Sequence, residues 1–309
     1  MNIEALSKRA LLCLVAVYYA ILIVPTPAMA KKSQAISNTN PVFVEEVQAV
    51  EDPSAVSLEE AQQIVQGPNI IINAAARKLY LYNKGELVKV YPIAVGSSRY
   101  RTPIGKREMN NIIWNPWWIP PKTSEWAEGS SDTPPGPNNP LGPVKMKLGS
   151  AIMIHGTSSP QSIGKAASHG CMRMFSDDAR DLAKYLQLHM TDKNDPSFFA
   201  QVKAKSRRSF HVKLETKIPV NIVYELASLE NNKLYVYRDV YYKGTNKLAF
   251  VKNLLKENGY NLDKVNWDMV SQQLKLSTKK DVSFNIAEIT KKQPRQVARN
   301  QVKPSLGKL

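Results

Sequence analysis

Three side chains of the kinds that nucleophilic chemistry needs stand close together in the middle of the chain: His155, His169 and Cys171. A cysteine attacks as its thiolate, so it needs a base or a cation nearby to take or offset its proton. Two positions apart on an extended segment, His169 and Cys171 point the same way, while His155 can act from across the site. On residue types alone either imidazole can be the base. Gly170 lets the backbone approach a substrate closely, and the N–H groups around Gly170 and Cys171 can converge on one point to stabilise an oxyanion. Ser168 reads as a local hydrogen-bonding residue, and Arg173 as either a structural ion pair or a holder of a substrate carboxylate. Two His and one Cys are also acceptable zinc ligands. The sequence has neither an HExxH helix nor paired CxxC motifs, and no acid stands close by to act as base. No metal or organic cofactor is therefore expected. His189 and His211 read as surface or packing residues.

These side chains need elements to position them. The apolar run Ile152, Met153 and Ile154 reads as a strand ending at His155-Gly156-Thr157. A loop of Ser, Pro, Gly and Lys then leads to Ser168-His169-Gly170-Cys171. A helix signal follows at once. Ser176 suits an N-cap, Asp177 and Asp178 suit the positive end of the helix dipole, and Ala179, Leu182, Ala183 and Leu186 fall on one face. Upstream, residues 70–73, 78–82 and 86–95 read as a strand meander with its turn at 83–85. Residues 114–143 hold four of the five tryptophans and eight prolines, which excludes a regular helix or central strand. Loops of this length are usually lids or binding loops, although tryptophans can equally plug a core. Downstream, Asp195-Pro196 opens a short helix with Phe198, Phe199 and Val202, and residues 209–214 read as a closing strand. From about residue 217 a second unit shows strand-like runs at 218–224 and 233–237. A helix over 248–258 stops at Gly259. Residues 267–274 are more weakly patterned, and this unit carries no catalytic constellation.

His155-Gly156-Thr157, followed by Ser168-His169-Gly170-Cys171-Met172-Arg173-Met174, resembles the signature of the L,D-transpeptidase catalytic domain, the YkuD-like family. The resemblance extends to Gly96-Ser97-Ser98 and Thr102-Pro103-Ile104-Gly105, where Thr102 is expected to shape a turn. It also takes in Asn115-Pro116-Trp117 and 137–142, segments that border the groove in that family and favour a lid. The resemblance implies Cys171 as nucleophile and His155 as base, with the Gly156 carbonyl orienting the imidazole. It leaves His169 and Gly170 as helpers in binding or oxyanion stabilisation. Gly156, Ser168, Arg173, Trp117 and Trp118 are the expected substrate-binding residues. Arg173 matches those family members with Arg at this position and departs from those with Asn. The implied fold is mainly β, a β-rich sandwich with a few packed helices, to which the chain adds a small α+β C-terminal unit. The implied reaction joins a peptidoglycan tetrapeptide stem to an amine through an acyl-enzyme with loss of D-alanine. The amine belongs to another stem, to a lysine of an envelope protein or to a free D-amino acid. A cysteine peptidase acting on the same polymer and a non-catalytic wall-binding module are the competing readings.

Composition agrees with export. Lys8 and Arg9 precede an apolar run from residue 10 to 24, and Ala28-Met29-Ala30 offers small residues for cleavage, so residues 1–30 read as a signal peptide. Cys13 lies inside it. One cysteine then remains, and an unpaired thiol in an oxidising compartment is a liability unless it has work to do. A periplasmic or envelope location is expected, with membrane contact only if the leader stays uncleaved. The net charge is +16, and from residue 201 onward 22 Lys and Arg face 9 Asp and Glu. Such a surplus suits anionic neighbours in the wall or simply a solvated face. No nucleic-acid motif appears. The expected layout is a polar tether with a short helix over 31–66, the catalytic domain over 67–215, the accessory unit over 216–290 and a disordered basic tail over 291–309.

Overall fold

A computed structural model describes residues 66–149, 151–244 and 247–290. The leader, the tether with its helix, and the basic tail lie outside the described residues.

Alternating side chains write the first strands. β1 (Pro68–Asn73), β2 (Lys78–Asn83) and β3 (Glu86–Gly96) form the meander. Leu79 and Leu81 of β2 enter the main core, while Tyr80 and Tyr82 pack with Ile71 on the other face. The turn between β2 and β3 is two residues long. Lys84 (φ 52°) and Gly85 (φ 79°) both take positive φ, the geometry that matches the twist of paired strands. β4 (Gly105–Trp114), β5 (Val144–Lys147), β6 (Met153–His155), β7 (Ala166–Ser168) and β8 (Met172–Met174) follow. Helix α1 (Ser176–Met190) lays Ala179, Leu182, Ala183 and Leu186 on the core. Helix α2 (Pro196–Ala204) begins at Asp195, whose carboxylate accepts from the Phe198 N–H at 2.9 Å.

Ser176 is the first residue of α1 and not its N-cap. Phe175 holds the cap position without a side-chain bond, and the Ser176 hydroxyl donates instead to the Thr157 carbonyl at 3.2 Å. The chain leaves β8 straight into the helix, so this hydroxyl ties α1 to the loop after β6.

β9 (Phe210–Val223) joins the two runs read as separate strands. It pairs parallel with β1 and antiparallel with β4, across a bulge at Met109–Asn111. The strand passes without a break through residue 216. Nine strands run in the order β2-β1-β9-β4-β5-β6-β8-β3-β7, and a further β2–β3 pairing folds the sheet back upon itself. The architecture is mainly β with a few packed helices.

Past β9 a second apolar core forms. β10 (Ala227–Glu230), β11 (Lys233–Val236), α3 (Lys247–Glu257), α4 (Trp267–Leu276), β12 (Val282–Asn285) and α5 (Ile286–Ile289) build it. The strands make a three-stranded antiparallel sheet, and Leu234, Val236, Val251, Leu255 and Val270 are fully buried among them. The weakly patterned stretch at 267–274 is most of α4.

Two seams bind this core to the larger one. Ala75, Ala76, Leu226 and Tyr237 bury one another, while Arg77 pairs with Asp281. Glu230 accepts from Lys78 Nζ and Tyr80 Oη, both at 2.7 Å. Further on, Val240 and Tyr241 turn back and enter the main core. No helix among the described residues is long and apolar enough to cross a membrane.

Candidate active site

β6 and β8 lie side by side and parallel, with Ile154 opposite Met172 and His155 opposite Arg173. Paired residues of neighbouring strands share a face, and alternate residues change face. Ile154 and Met172 therefore point into the core, both fully buried. His155, Arg173 and Cys171, which immediately precedes β8, share the opposite face. Both His155 and Cys171 lie close enough to Arg173 to feel its charge.

His155 is buried, with Nδ1 2.6 Å from the Gly156 carbonyl oxygen. A carbonyl can only accept, so Nδ1 carries the proton and Nε2 keeps its lone pair free. Burial pulls the imidazole down from 6.5 to about 4; the Gly156 carbonyl opposes this, and the charges of Arg173 and Lys145 add to it. At neutral pH the ring is an uncharged base. Cys171 is partly buried, its sulfur 3.4 Å from the Ala151 carbonyl. Burial pushes its thiol up, while the Met153 backbone and Arg173 pull the other way. The resting group is a thiol, beside a cation that will favour the thiolate once the proton leaves.

The turn that carries Cys171 is tied on both sides. Ser168 Oγ donates to the Cys171 carbonyl at 2.6 Å and accepts from the Gly170 N–H at 3.1 Å. This corrects one expectation, because the Gly170 N–H is already engaged and is not free to face an oxyanion. The Cys171 N–H is used by no described hydrogen bond. Gly170 sits at φ +113°, which L side chains rarely adopt. Its carbonyl accepts from Thr102 Oγ1 at 2.9 Å, and the same hydroxyl accepts from the Gly96 N–H at 2.8 Å. Thr102 thus braces the nucleophile loop as well as its own turn.

The end of the proline-rich loop presses on the other histidine segment. A Cβ on Gly142 (φ +63°) would lie 2.8 Å from the Thr157 nitrogen, and one on Gly156 would lie 2.7 Å from Pro143 Cδ. Asn139, fully buried, pins this loop by donating to the Pro116 carbonyl at 2.9 Å and accepting from the Leu141 N–H at 2.9 Å.

The tryptophans divide their tasks. Trp114 is a core residue whose Nε1 donates to Gln187 Oε1 at 2.7 Å. Trp117 is half-exposed, and its carbonyl accepts from Lys145 Nζ at 3.1 Å. Trp118 pairs with Thr133 through its backbone. Neither Trp117 nor Trp118 makes a described ring contact with His155, His169 or Cys171. Trp126 does. Carried on the short 3-10 turn Glu125–Ala127, it stacks flat on the exposed His169 with centroids 4.0 Å apart, while Tyr100 meets the same imidazole edge-on at 4.8 Å. His169 is therefore part of an aromatic wall, and burial and Arg173 both lower its proton affinity. Trp126, Tyr100, Lys145 and Asn139 are the site residues that sequence reasoning missed. Trp126 and Asn139 lie inside the proline-rich loop already named, Tyr100 lies between two motif segments, and nothing in the sequence pointed to Lys145. Among the described residues no three His, Cys, Asp or Glu side chains cluster as metal ligands.

Residues 67–220 match the family model of the L,D-transpeptidase catalytic domain, YkuD. A protein of Escherichia coli K12 named a probable L,D-transpeptidase, YbiS, is 34% identical over 121 residues, which is 37% of this chain and 40% of that protein. A Salmonella typhimurium protein named a probable L,D-transpeptidase, ErfK/SrfK, is 32% identical over 123 residues, 37% of this chain and 39% of that protein. The chain thus spans about two-fifths of the length of these curated relatives. The NMR structure of the catalytic domain of an Enterococcus faecium L,D-transpeptidase is 15% identical with a TM-score of 0.33, over 51% of this chain and 97% of that one.

Proposed function

We propose, since residues 67–220 belong to the YkuD family of L,D-transpeptidase catalytic domains, that this protein is an exported peptidoglycan L,D-transpeptidase. Cys171 is its nucleophile and His155 its base. Nε2 of His155 takes the thiol proton as the sulfur adds to the carbonyl carbon of the third residue of a tetrapeptide stem. Arg173 offsets the charge that appears on the sulfur. The Cys171 N–H donates to the tetrahedral oxyanion. The intermediate collapses as the bond to the terminal D-alanine breaks, and His155 returns its proton to the departing amine. A thioester remains. An amine then attacks it, His155 takes a proton from that amine, and the thiol is restored with a new amide bond formed. A neighbouring stem amine gives a 3–3 cross-link; a lysine of an envelope protein gives an anchored protein.

The aromatic wall of Trp126, His169 and Tyr100 flanks the stem, and Arg173 binds its carboxylate. A carbapenem, whose strained lactam carbonyl offers the same electrophile, acylates Cys171. The accessory unit extends from about residue 226 to 290, after β9 ends.

The reading rests most heavily on one observation: His155, its Nδ1 held by the Gly156 carbonyl, comes from the strand that pairs with the one following the only described cysteine. Mass spectrometry of tetrapeptide muropeptides incubated with the protein tests it, beside a Cys171→Ala control. Loss of D-alanine with appearance of dimers is expected. Tripeptide monomers alone, even with added amines, would replace transfer by hydrolysis. No difference from the control would remove the assignment.

A further inference from the structure

The donor proposed for the oxyanion is one half of a peptide plane whose other half is anchored. Gly170 C=O and Cys171 N–H belong to the same planar trans peptide, so they point in opposite directions. Thr102 Oγ1 holds the carbonyl at 2.9 Å and thereby fixes where the N–H looks. Without that anchor the plane is easily turned, because Gly170 supplies a backbone with few preferences on one side.

Thr102 is itself held from outside the catalytic domain. Its N–H donates to Tyr241 Oη at 3.0 Å. Tyr241 is 1% exposed and stacks on Tyr224 at 4.9 Å with the rings 10° apart. The Tyr241 N–H donates to Tyr224 Oη, which in turn donates to Asp239 at 2.6 Å. This arch stands on residues beyond 220, where the family match ends. Thr102 and Tyr241 are each 1% exposed, so solvent has little room to stand in for the bond between them.

We propose that Tyr241 is a positioning residue for acyl transfer: it fixes Thr102, which fixes the Gly170–Cys171 peptide and aims the Cys171 N–H at the oxyanion. The segment after β9 is then part of the catalytic apparatus by position, without touching substrate. The inference rests on the acyl-transfer reading above.

The test separates two reactions of the same sulfur in the full-length chain. With p-nitrophenyl acetate the sulfur bonds to the carbonyl carbon, p-nitrophenolate leaves, and an oxyanion must be stabilised on the way. With iodoacetamide the sulfur displaces iodide and no oxyanion forms. In Tyr241→Phe and in Thr102→Val the ratio of acylation to alkylation rates should fall roughly tenfold, less than the hundredfold or more seen when an oxyanion donor is removed outright. The double variant should be no worse than the poorer single one, because both break one relay. Tyr237→Phe removes another buried hydroxyl, one bonded to Ser228, and should leave the ratio unchanged. If Tyr241→Phe fails to fold, Thr102→Val reports on the same peptide from the near side. An unchanged ratio in either folded variant would overturn the proposal, as would equal losses in both reactions. Muropeptide turnover by the wild type is scored separately. Its absence sinks the transpeptidase reading, while the ratio still decides the role of Tyr241.

Discussion

Burial of His155 should make both the stability and the activity of this protein acid-sensitive over a defined window. The imidazole falls from 6.5 to about 4 on folding. A group depressed in this way stabilises the fold fully above its unfolded value, and that stability drains away as pH drops towards the folded one. At roughly 1.4 kcal/mol per pH unit, the whole effect is about 3 kcal/mol. At pH 4.5 the unfolded imidazole is protonated and the folded one mostly is not, so about 2–3 kcal/mol of it should already be gone. Carboxylates also titrate in this range, and a comparison with His155→Gln cancels them. Urea unfolding of both proteins at pH 7.5 and 4.5 gives the four free energies needed. The wild type should lose about 2–3 kcal/mol more than the variant on acidification. Equal losses would refute the argument that burial holds the ring neutral. The same displacement belongs in kcat/KM, whose acid limb should lie well below 6.5, because an imidazole already neutral at pH 5.5 still accepts the thiol proton.

Gly142→Ala should lower the melting temperature by several degrees, since it meets the Thr157 and Gly156 backbones as well as carrying a left-handed φ. Gly129→Ala, with φ +73° but open space around it, should cost only about 1 kcal/mol; equal shifts would discard the close approach. Trp126→Ala should raise KM for the stem several-fold with kcat nearly kept, because it removes a wall and no reacting group. A fall in kcat alone would move His169 back into the chemistry. Trp114→Phe strands the buried Gln187 Oε1 and should destabilise the protein by about 1–3 kcal/mol in urea unfolding, with no effect on Cys171 alkylation.

How much of this was legible in the sequence depended on the range of the interactions. The meander, its tight turn at Lys84-Gly85 and the amphipathic face of α1 are local patterns and could be read directly. The parallel neighbourhood of β6 and β8 could not, because it depends on which strands pair across the sheet. The same limit applies to β9, where Ile218-Pro219-Val220 looks like the opening of a new unit until β1 and β4 are seen to claim it. Ser176 has the composition of a cap, and only the position of the Thr157 carbonyl shows where its hydroxyl goes. Among the three tryptophans of the loop after β4, composition offers no reason to choose Trp126 over Trp117 or Trp118. That choice is made by the reach of a short helical turn towards His169. The backbone freedom of Gly170 follows from its residue type, whereas the partner of its N–H, Ser168, emerges only from the folded turn.

The seam formed by Ala75, Ala76, Leu226 and Tyr237 limits how this chain can be divided. Cutting at residue 220, where the family match stops, would uncover those apolar groups together with the Tyr80 hydroxyl and the Thr102 N–H. A fragment trimmed to the recognisable domain would therefore present a wet, sticky edge and a slack nucleophile loop. The same constraint acts on inheritance: recombination at the family boundary would separate a catalytic sheet from its own brace.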